Sequence, residues 1–214
     1  MRALLMEIYD RLYKAFGPQG WWPGESPFEV MVGAILTQNT AWKNVERAIH
    51  RLKEKGALSP EGIFRLSEPS LASLVRSSGY YRIKARRLKA FVEFLFKEYR
   101  GDIHAMQREE IFPLREKLLK VRGIGPETAD SILLYGLRKP IFVVDAYTRR
   151  IFSRHGLVSE EASYEEMQAL FMNHLPHDER LFNEYHALLV RLGKSLCRGT
   201  PKCQACPIER VGRI

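Results

Sequence analysis

Between Arg2 and Phe16, apolar residues fall at Leu4, Leu5, Ile8, Leu12 and Phe16, the spacing of one helical face, with charged residues filling the gaps. This predicts a helix retained in the folded protein, because a secretory signal carries an uninterrupted apolar core. The same spacing recurs over about 27–37, 41–55, 81–99, 113–120, 126–136, 146–155, 164–175 and 177–193, with shorter helices near 60–75. Helix punctuation agrees. Ser26-Pro27-Phe28-Glu29 reads as a capping box with proline at the first helical position, and Ser163 with Glu166 repeats the box without proline. Gly56, Gly101, Gly136, Gly156 and Gly193 are expected stops. No alternating pattern marks a strand. The run Ile141-Phe142-Val143-Val144-Asp145 has strand composition but no partner to pair with, so it is expected to be an extended segment entering a helix. The chain reads as all-α, without repeats or a flexible linker.

Composition narrows the class. Of 214 residues, 45% are hydrophobic and 28% charged, as in a soluble globular protein, and the longest apolar runs are too short to span a bilayer. A formal charge of +9 favours a polyanionic partner and makes nucleic acid the leading class. Cys197, Cys203 and Cys206 fall within ten residues, which suits a metal or cluster site better than a disulfide framework and implies a reducing, cytoplasmic setting.

The stretch from Leu118 to Tyr147, "LLKVRGIGPETADSILLYGLRKPIFVVDAY", carries the most chemistry. A helix is expected to end near Val121. Gly123 and Gly125 then bracket a tight turn, and Pro126 opens the next helix where its missing N–H costs little. Such a turn offers backbone N–H groups beside a helix N-terminus, where a phosphate oxygen can dock; an ordinary interhelical turn with Ile124 packed inside has the same local pattern. Asp145 reads first as an N-cap of the helix beginning "AYTRRIF".

These residues resemble the endonuclease III superfamily of DNA glycosylases, in which a helix-hairpin-helix is followed by a Gly/Pro-rich loop and a catalytic aspartate. The resemblance extends through "FEVMVGAILTQNTAWKNVERAI" and "FNEYHALLVRLGKSLC". It implies a two-lobed all-α glycosylase fold: residues 25–138 form a central domain with the hairpin at about 113–136, and residues 1–24 plus 139–214 form a second lobe with the aspartate and a C-terminal iron-sulfur-like loop. Asp145 would be the catalytic carboxylate. Glu127 occupies the position of the lysine nucleophile of bifunctional members, and a carboxylate cannot form their Schiff base. The implied enzyme is therefore monofunctional, with AP-lyase activity weak or absent. Gln38 matches the polar residue that fills the hole left by a flipped base, with an ordinary helix-end amide as the plain alternative. Trp42 is expected one helical turn beyond Gln38.

Trp21 and Trp22 in "WWP", with Trp42, resemble the aromatic set of the 3-methyladenine glycosylase branch, so they and Glu127 are the lesion-pocket candidates. An N-alkylated purine is cationic, stacks on indole faces and leaves readily. Gln38, Arg122, Gly123, Ile124, Gly125 and Arg149 are the DNA-binding candidates. Arg82, Lys84, Arg86, Arg87 and Lys89, with Lys43 and Arg150, are further cations that could meet phosphates. The run "CRGTPKCQACPIERVGRI" resembles the endonuclease III cluster loop and implies a [4Fe-4S] site with incomplete ligation, since the fourth position falls on Gly212; incompletely ligated zinc, or a vestigial loop kept by packing, stands beside it. The expected partner is damaged double-stranded DNA, met by a monomer. Two alternatives stand beside this reading: a glycosylase for oxidised pyrimidines or mismatched thymine or uracil, with or without lyase activity, and a non-catalytic module that recognises DNA distortion.

Overall fold

A computed structural model describes residues 1–211 as α-helices, short helical turns and loops, with no strand among the described residues. The chain divides into two compact units. One comprises Met1–Trp22 and the described residues of Pro140–Ile214; the other is Pro23–Lys139.

The first unit contains α1 (Arg2–Phe16) and, after Pro140, three further long helices; the second contains α2 (Pro27–Leu36), α3 (Trp42–Glu54), α4 (Pro60–Arg65), α5 (Glu68–Leu74), α6 (Tyr81–Tyr99), α7 (Ile103–Gln107), α8 (Ile111–Leu119) and α9 (Pro126–Ser131). Every residue of α2 from Phe28 to Leu36 is buried, including Glu29, whose carboxylate pairs with Lys53. It is the centre of the second unit, packed by α3, α6 and α9. Ser26 caps it, its Oγ accepting from the Glu29 N–H at 3.2 Å. The return bond of a capping box is absent, because the Glu29 carboxylate accepts instead from the Glu25 N–H and pairs with Lys53. At Ser163 both bonds of the box form.

The helix expected over 126–136 changes pitch midway. α9 ends at Ser131 and a π-helical turn, Ile132–Gly136, follows. There Gly136 comes so close to α2 that a Cβ would lie 2.9 Å from Met31 Cγ. α7 is too short to leave a periodic signal in the sequence.

In the first unit α10 (Ala146–Arg154), α11 (Tyr164–Met172) and α12 (Glu179–Ser195) complete the bundle, with α1 and α10 both packed on α12. An aromatic cluster of Phe142, Phe171, Phe182 and Tyr185 forms its core, and the buried Tyr185 hydroxyl donates to Leu5 O at 2.8 Å, tying α1 to α12. Residues 141–145 lie in neither helix nor strand, as expected of a run of strand composition with no partner, whereas Leu137 keeps helical backbone angles and Arg138 has φ +56°.

Gly193 departs from its expected role as a stop. It lies inside α12, where a Cβ would fall 2.4 Å from Tyr147 Cδ1 and 2.8 Å from Tyr147 Cβ. Its function is close approach of α10 to α12. Gly193→Ala is therefore expected to lower stability by about 1–3 kcal/mol through overpacking, although alanine is the better helix former. Denaturant unfolding measures this, and unchanged or raised stability would contradict it.

Candidate active site

Asp145 sits at the N-cap of α10 with its side chain 12% exposed. Its Oδ1 accepts from the Thr148 N–H at 2.7 Å and from the Thr148 hydroxyl at 3.0 Å. Its Oδ2 lies 3.6 Å from His186 Nε2 on α12, an electrostatic contact too long for a strong hydrogen bond. Burial pushes the carboxyl pKa up, but the His186 contact and the Thr148 bonds outweigh it and the net displacement is downward. Asp145 is thus an ionised carboxylate at neutral pH, held through one oxygen. His186 and Thr148 were not singled out by sequence. Thr148 had a local signal, its place three residues after an N-cap aspartate; His186 had none, being brought to the site by packing alone.

Trp21 and Trp22 belong to this unit. Their rings meet edge to face at 5.5 Å, and Lys194 Nζ stands 5.6 Å from the centroid of the Trp21 ring. The segment before them is fastened to α12 by the Gln19 N–H, which donates to Glu184 at 2.7 Å. Arg149 donates to Glu160 O and Ala162 O and so braces the loop that leads into α11.

In the second unit, the turn between α8 and α9 is the expected helix-hairpin-helix. Gly123 has φ +87°, a conformation that favours glycine, whereas Gly125 is extended and caps α9. Ile124 is buried and its N–H donates to Val121 O, so its contribution is to hold the turn's shape. The N–H groups of Gly123 and Gly125 enter no hydrogen bond among the described residues, and Arg122 is exposed beside them. Glu127 is exposed in the first turn of α9, where the helix dipole favours an acid.

Gln38 lies in the turn between α2 and α3 and not on a helix, so it does not share a helical face with Trp42 as expected. Its amide donates to Gly123 O at 3.1 Å and Thr128 Oγ1 at 2.8 Å. Trp42 opens α3, donates through Nε1 to Glu46 at 2.7 Å, and lines a cavity of about 420 Å³ with Glu25, Glu29 and Glu46.

The basic run on α6 separates into different roles. Lys84 is 1% exposed and donates to Leu36 O at 2.8 Å and Ser78 O at 2.5 Å, which removes it from any phosphate surface; burial lowers its pKa to about 8, with the nearby Arg87 charge adding to the effect. Lys89 donates to Phe64 O and Leu66 O, Arg86 pairs with Glu68, and Arg87 donates to Gln38 Oε1. Arg82 and Lys43 are exposed. Their partners, which sequence does not reveal, decide which cations can meet phosphate.

The cysteines line one cavity of about 240 Å³. Arg150 donates to Cys197 O and Gly193 O, and Arg154 to Cys197 Sγ, Arg198 O and Gly199 O, so two arginines of α10 clasp the loop. Burial raises the Cys206 thiol, and the neighbouring Cys197 and Cys203 add to that displacement. No group of three or more His, Cys, Asp or Glu among the described residues is arranged to hold a metal ion, and Gly212 lies outside the described residues. No helix among them is long and apolar enough to cross a membrane.

Residues 32–177 match the family of HhH-GPD superfamily base excision DNA repair proteins. A Methanocaldococcus jannaschii protein, named as a proposed DNA repair glycosylase, is 46% identical over 208 residues, 96% of this chain and 94% of its own. The endonuclease III of Thermotoga maritima is 31% identical over 181 residues, 84% of this chain and 79% of its own. Among solved structures, an endonuclease III trapped covalently on DNA superposes with a TM-score of 0.84 at 23% identity, over 99% of this chain and 95% of that one, and so shares the fold. The H. pylori 3-methyladenine DNA glycosylase bound to 1,N6-ethenoadenine superposes with a TM-score of 0.74 at 29% identity, over 90% of this chain and 96% of that one. On this family match and the near full-length similarity, the chain belongs to the HhH-GPD superfamily of base excision DNA repair proteins and is a DNA glycosylase.

Proposed function

We propose that this glycosylase is monofunctional and removes a cationic alkylated purine, such as 3-methyladenine, from duplex DNA. The observation that carries the reading is an ionised Asp145 capping α10, in a chain that has a carboxylate, Glu127, at the position where the family resemblance places the lysine of bifunctional members. In the reaction, the bond between sugar C1′ and the base nitrogen breaks and its electron pair leaves with the base, which becomes neutral. The positive charge passes to the sugar, where Asp145 Oδ2 stabilises it or accepts a proton from the attacking water. Oδ1 is kept in place by Thr148 and need not move.

The lesion-pocket residues are Trp21, Trp22 and Trp42, with Glu127 at the hairpin. That an indole of this set takes a cation is supported by Lys194 over the Trp21 ring. The cavity beside Trp42 carries both signs of charge, since Lys53 pairs there with Glu25 and Glu29, so the preference for a cation rests on the indole faces. The hairpin meets the DNA backbone through the N–H groups of Gly123 and Gly125 and through Arg122, and Gln38 fills the vacated stack. Ile124 holds the shape of the hairpin turn, and Arg149 is a DNA-binding residue that also braces the loop leading into α11. The protein acts as a monomer in a reducing cytoplasm.

Cys197, Cys203 and Cys206 would supply three of the four ligands of a [4Fe-4S] cluster, with the fourth position, Gly212, outside the described residues, and base release would need no redox step from it. The loop's role is to present Arg198 and Lys202 beside the DNA, on a shape kept by Arg150 and Arg154.

The similarity to the Thermotoga maritima endonuclease III favours a second reading, in which oxidised pyrimidines are the substrate. A substrate panel separates the two. Free purine is expected from methylated duplexes, with release from thymine glycol, uracil or mismatched thymine at least about tenfold slower, as the loss of one desolvated cation–π contact implies. Trp42→Ala should erase that preference. Faster release from thymine glycol than from methylated DNA would overturn the alkylpurine assignment.

A further inference from the structure

Gln38 is held from three directions. Its amide nitrogen donates to the hairpin at Gly123 O and to α9 at Thr128 Oγ1, while its oxygen accepts from Arg87 on α6. A guanidinium can only donate, so Arg87 fixes which end of the amide is oxygen. The aliphatic stem of Arg87 also covers the hairpin: a Cβ on Gly123 would fall 2.4 Å from Arg87 Cγ. One helical turn earlier, Lys84 donates to Leu36 O, the carbonyl just before the Gln38 turn. Thus α6 fixes both the backbone leading into Gln38 and the side chain itself.

We infer that Arg87 is a positioning residue that locks the Gln38 amide onto the hairpin, so that docking of the hairpin on the DNA backbone and filling of the vacated stack by Gln38 occur as one coupled step. This rests on the hole-filling role of Gln38 proposed above. An unrestrained glutamine would have to be ordered when it enters DNA; here the ordering is complete in the free protein. Arg87 thereby leaves the set of simple phosphate contacts, a role its place in a basic run would suggest.

The test uses Arg87→Met, which keeps the stem over Gly123 and removes the donor, with Gln38→Ala and the double variant. Each binds duplexes with and without a tetrahydrofuran abasic-site analogue, and the ratio of the two affinities is the readout. Each single substitution should lower that ratio by about three- to tenfold, the scale of ordering one long side chain, and the double variant should fall no further than the worse single. The salt dependence of binding should be unchanged in Arg87→Met. Multiplying penalties would overturn the coupling. So would an equal loss of affinity for both duplexes with the salt slope reduced by about one, the mark of a phosphate contact. An unchanged ratio in Gln38→Ala alone would overturn the hole-filling role itself, a distinguishable failure. In the unmodified protein, the Gln38 side-chain amide protons should exchange slowly by NMR; free exchange would refute the lock without any variant.

Discussion

Asp145→Asn is expected to reduce base release by about 10²–10⁴-fold, the range for losing a placed carboxylate or electrostatic stabiliser, while duplex binding stays within about twofold. Asparagine keeps the shape and is a good N-cap, so its amide oxygen can still accept from Thr148 and α10 should begin where it does now. What disappears is the charge that a sugar cation needs. The pH dependence has a definite sign. The folded carboxyl titrates below its ordinary value, so its contribution is fully present above the ordinary aspartate pKa and is lost only as pH falls through the lowered one. The acid limb of the rate profile assignable to this group should therefore lie below the ordinary aspartate range. Single-turnover release across pH checks both points. An asparagine variant within tenfold of wild type would remove Asp145 from the reaction.

Arg115→Ala is expected to destabilise the protein by about 3–5 kcal/mol, the cost of breaking a buried ion pair by removing one partner. Asp130 on α9 is fully buried, and Arg115 on α8 grips it with two bonds, Nε to Oδ1 at 2.6 Å and Nη2 to Oδ2 at 3.1 Å. This pair spans the hairpin and fixes the angle at which α8 meets α9, so its loss should weaken DNA binding along with stability. Replacing both partners with leucine should recover most of the stability but not the binding, because the burial penalty goes while the directional clamp does not return. Denaturant midpoints decide the first claim. A loss below about 1 kcal/mol would mean that the charge finds another partner or water.

Much of the fold could be read from periodicity because helix caps and apolar spacing are local. Ser26, Pro27, Ser163 and the proline after Gly125 lie at or beside helix starts; that α2 is buried on every side, Glu29 included, is set by its neighbours and not by the one-face spacing. Gly193 does not stop α12, and sequence hides this because a glycine that ends a helix and one that admits a neighbouring ring look the same; Tyr147, 46 positions away, decides between them. The pitch change after Ser131 likewise depends on contact with α2. In the candidate site, the hairpin glycines and Asp145 as a helix cap follow from local pattern, while catalytic roles for Asp145 and Glu127 come from the family resemblance alone. The electrostatic setting of Asp145 follows from neither, since His186 reaches it only through packing of α10 on α12. Lys84 and Arg87 show the same limit for charge: a basic helix face looks uniform in sequence, yet one of its cations is buried on carbonyls and another is committed to Gln38.

Strand scission on a methylated duplex, scored before and after alkali, decides whether the enzyme is a monofunctional alkylpurine glycosylase. Free alkylated purine is expected, with an intact strand before alkali and a break at the vacated sugar after it. A break without alkali, accompanied by a borohydride-trapped covalent complex, would contradict the assignment built on Glu127 and Asp145.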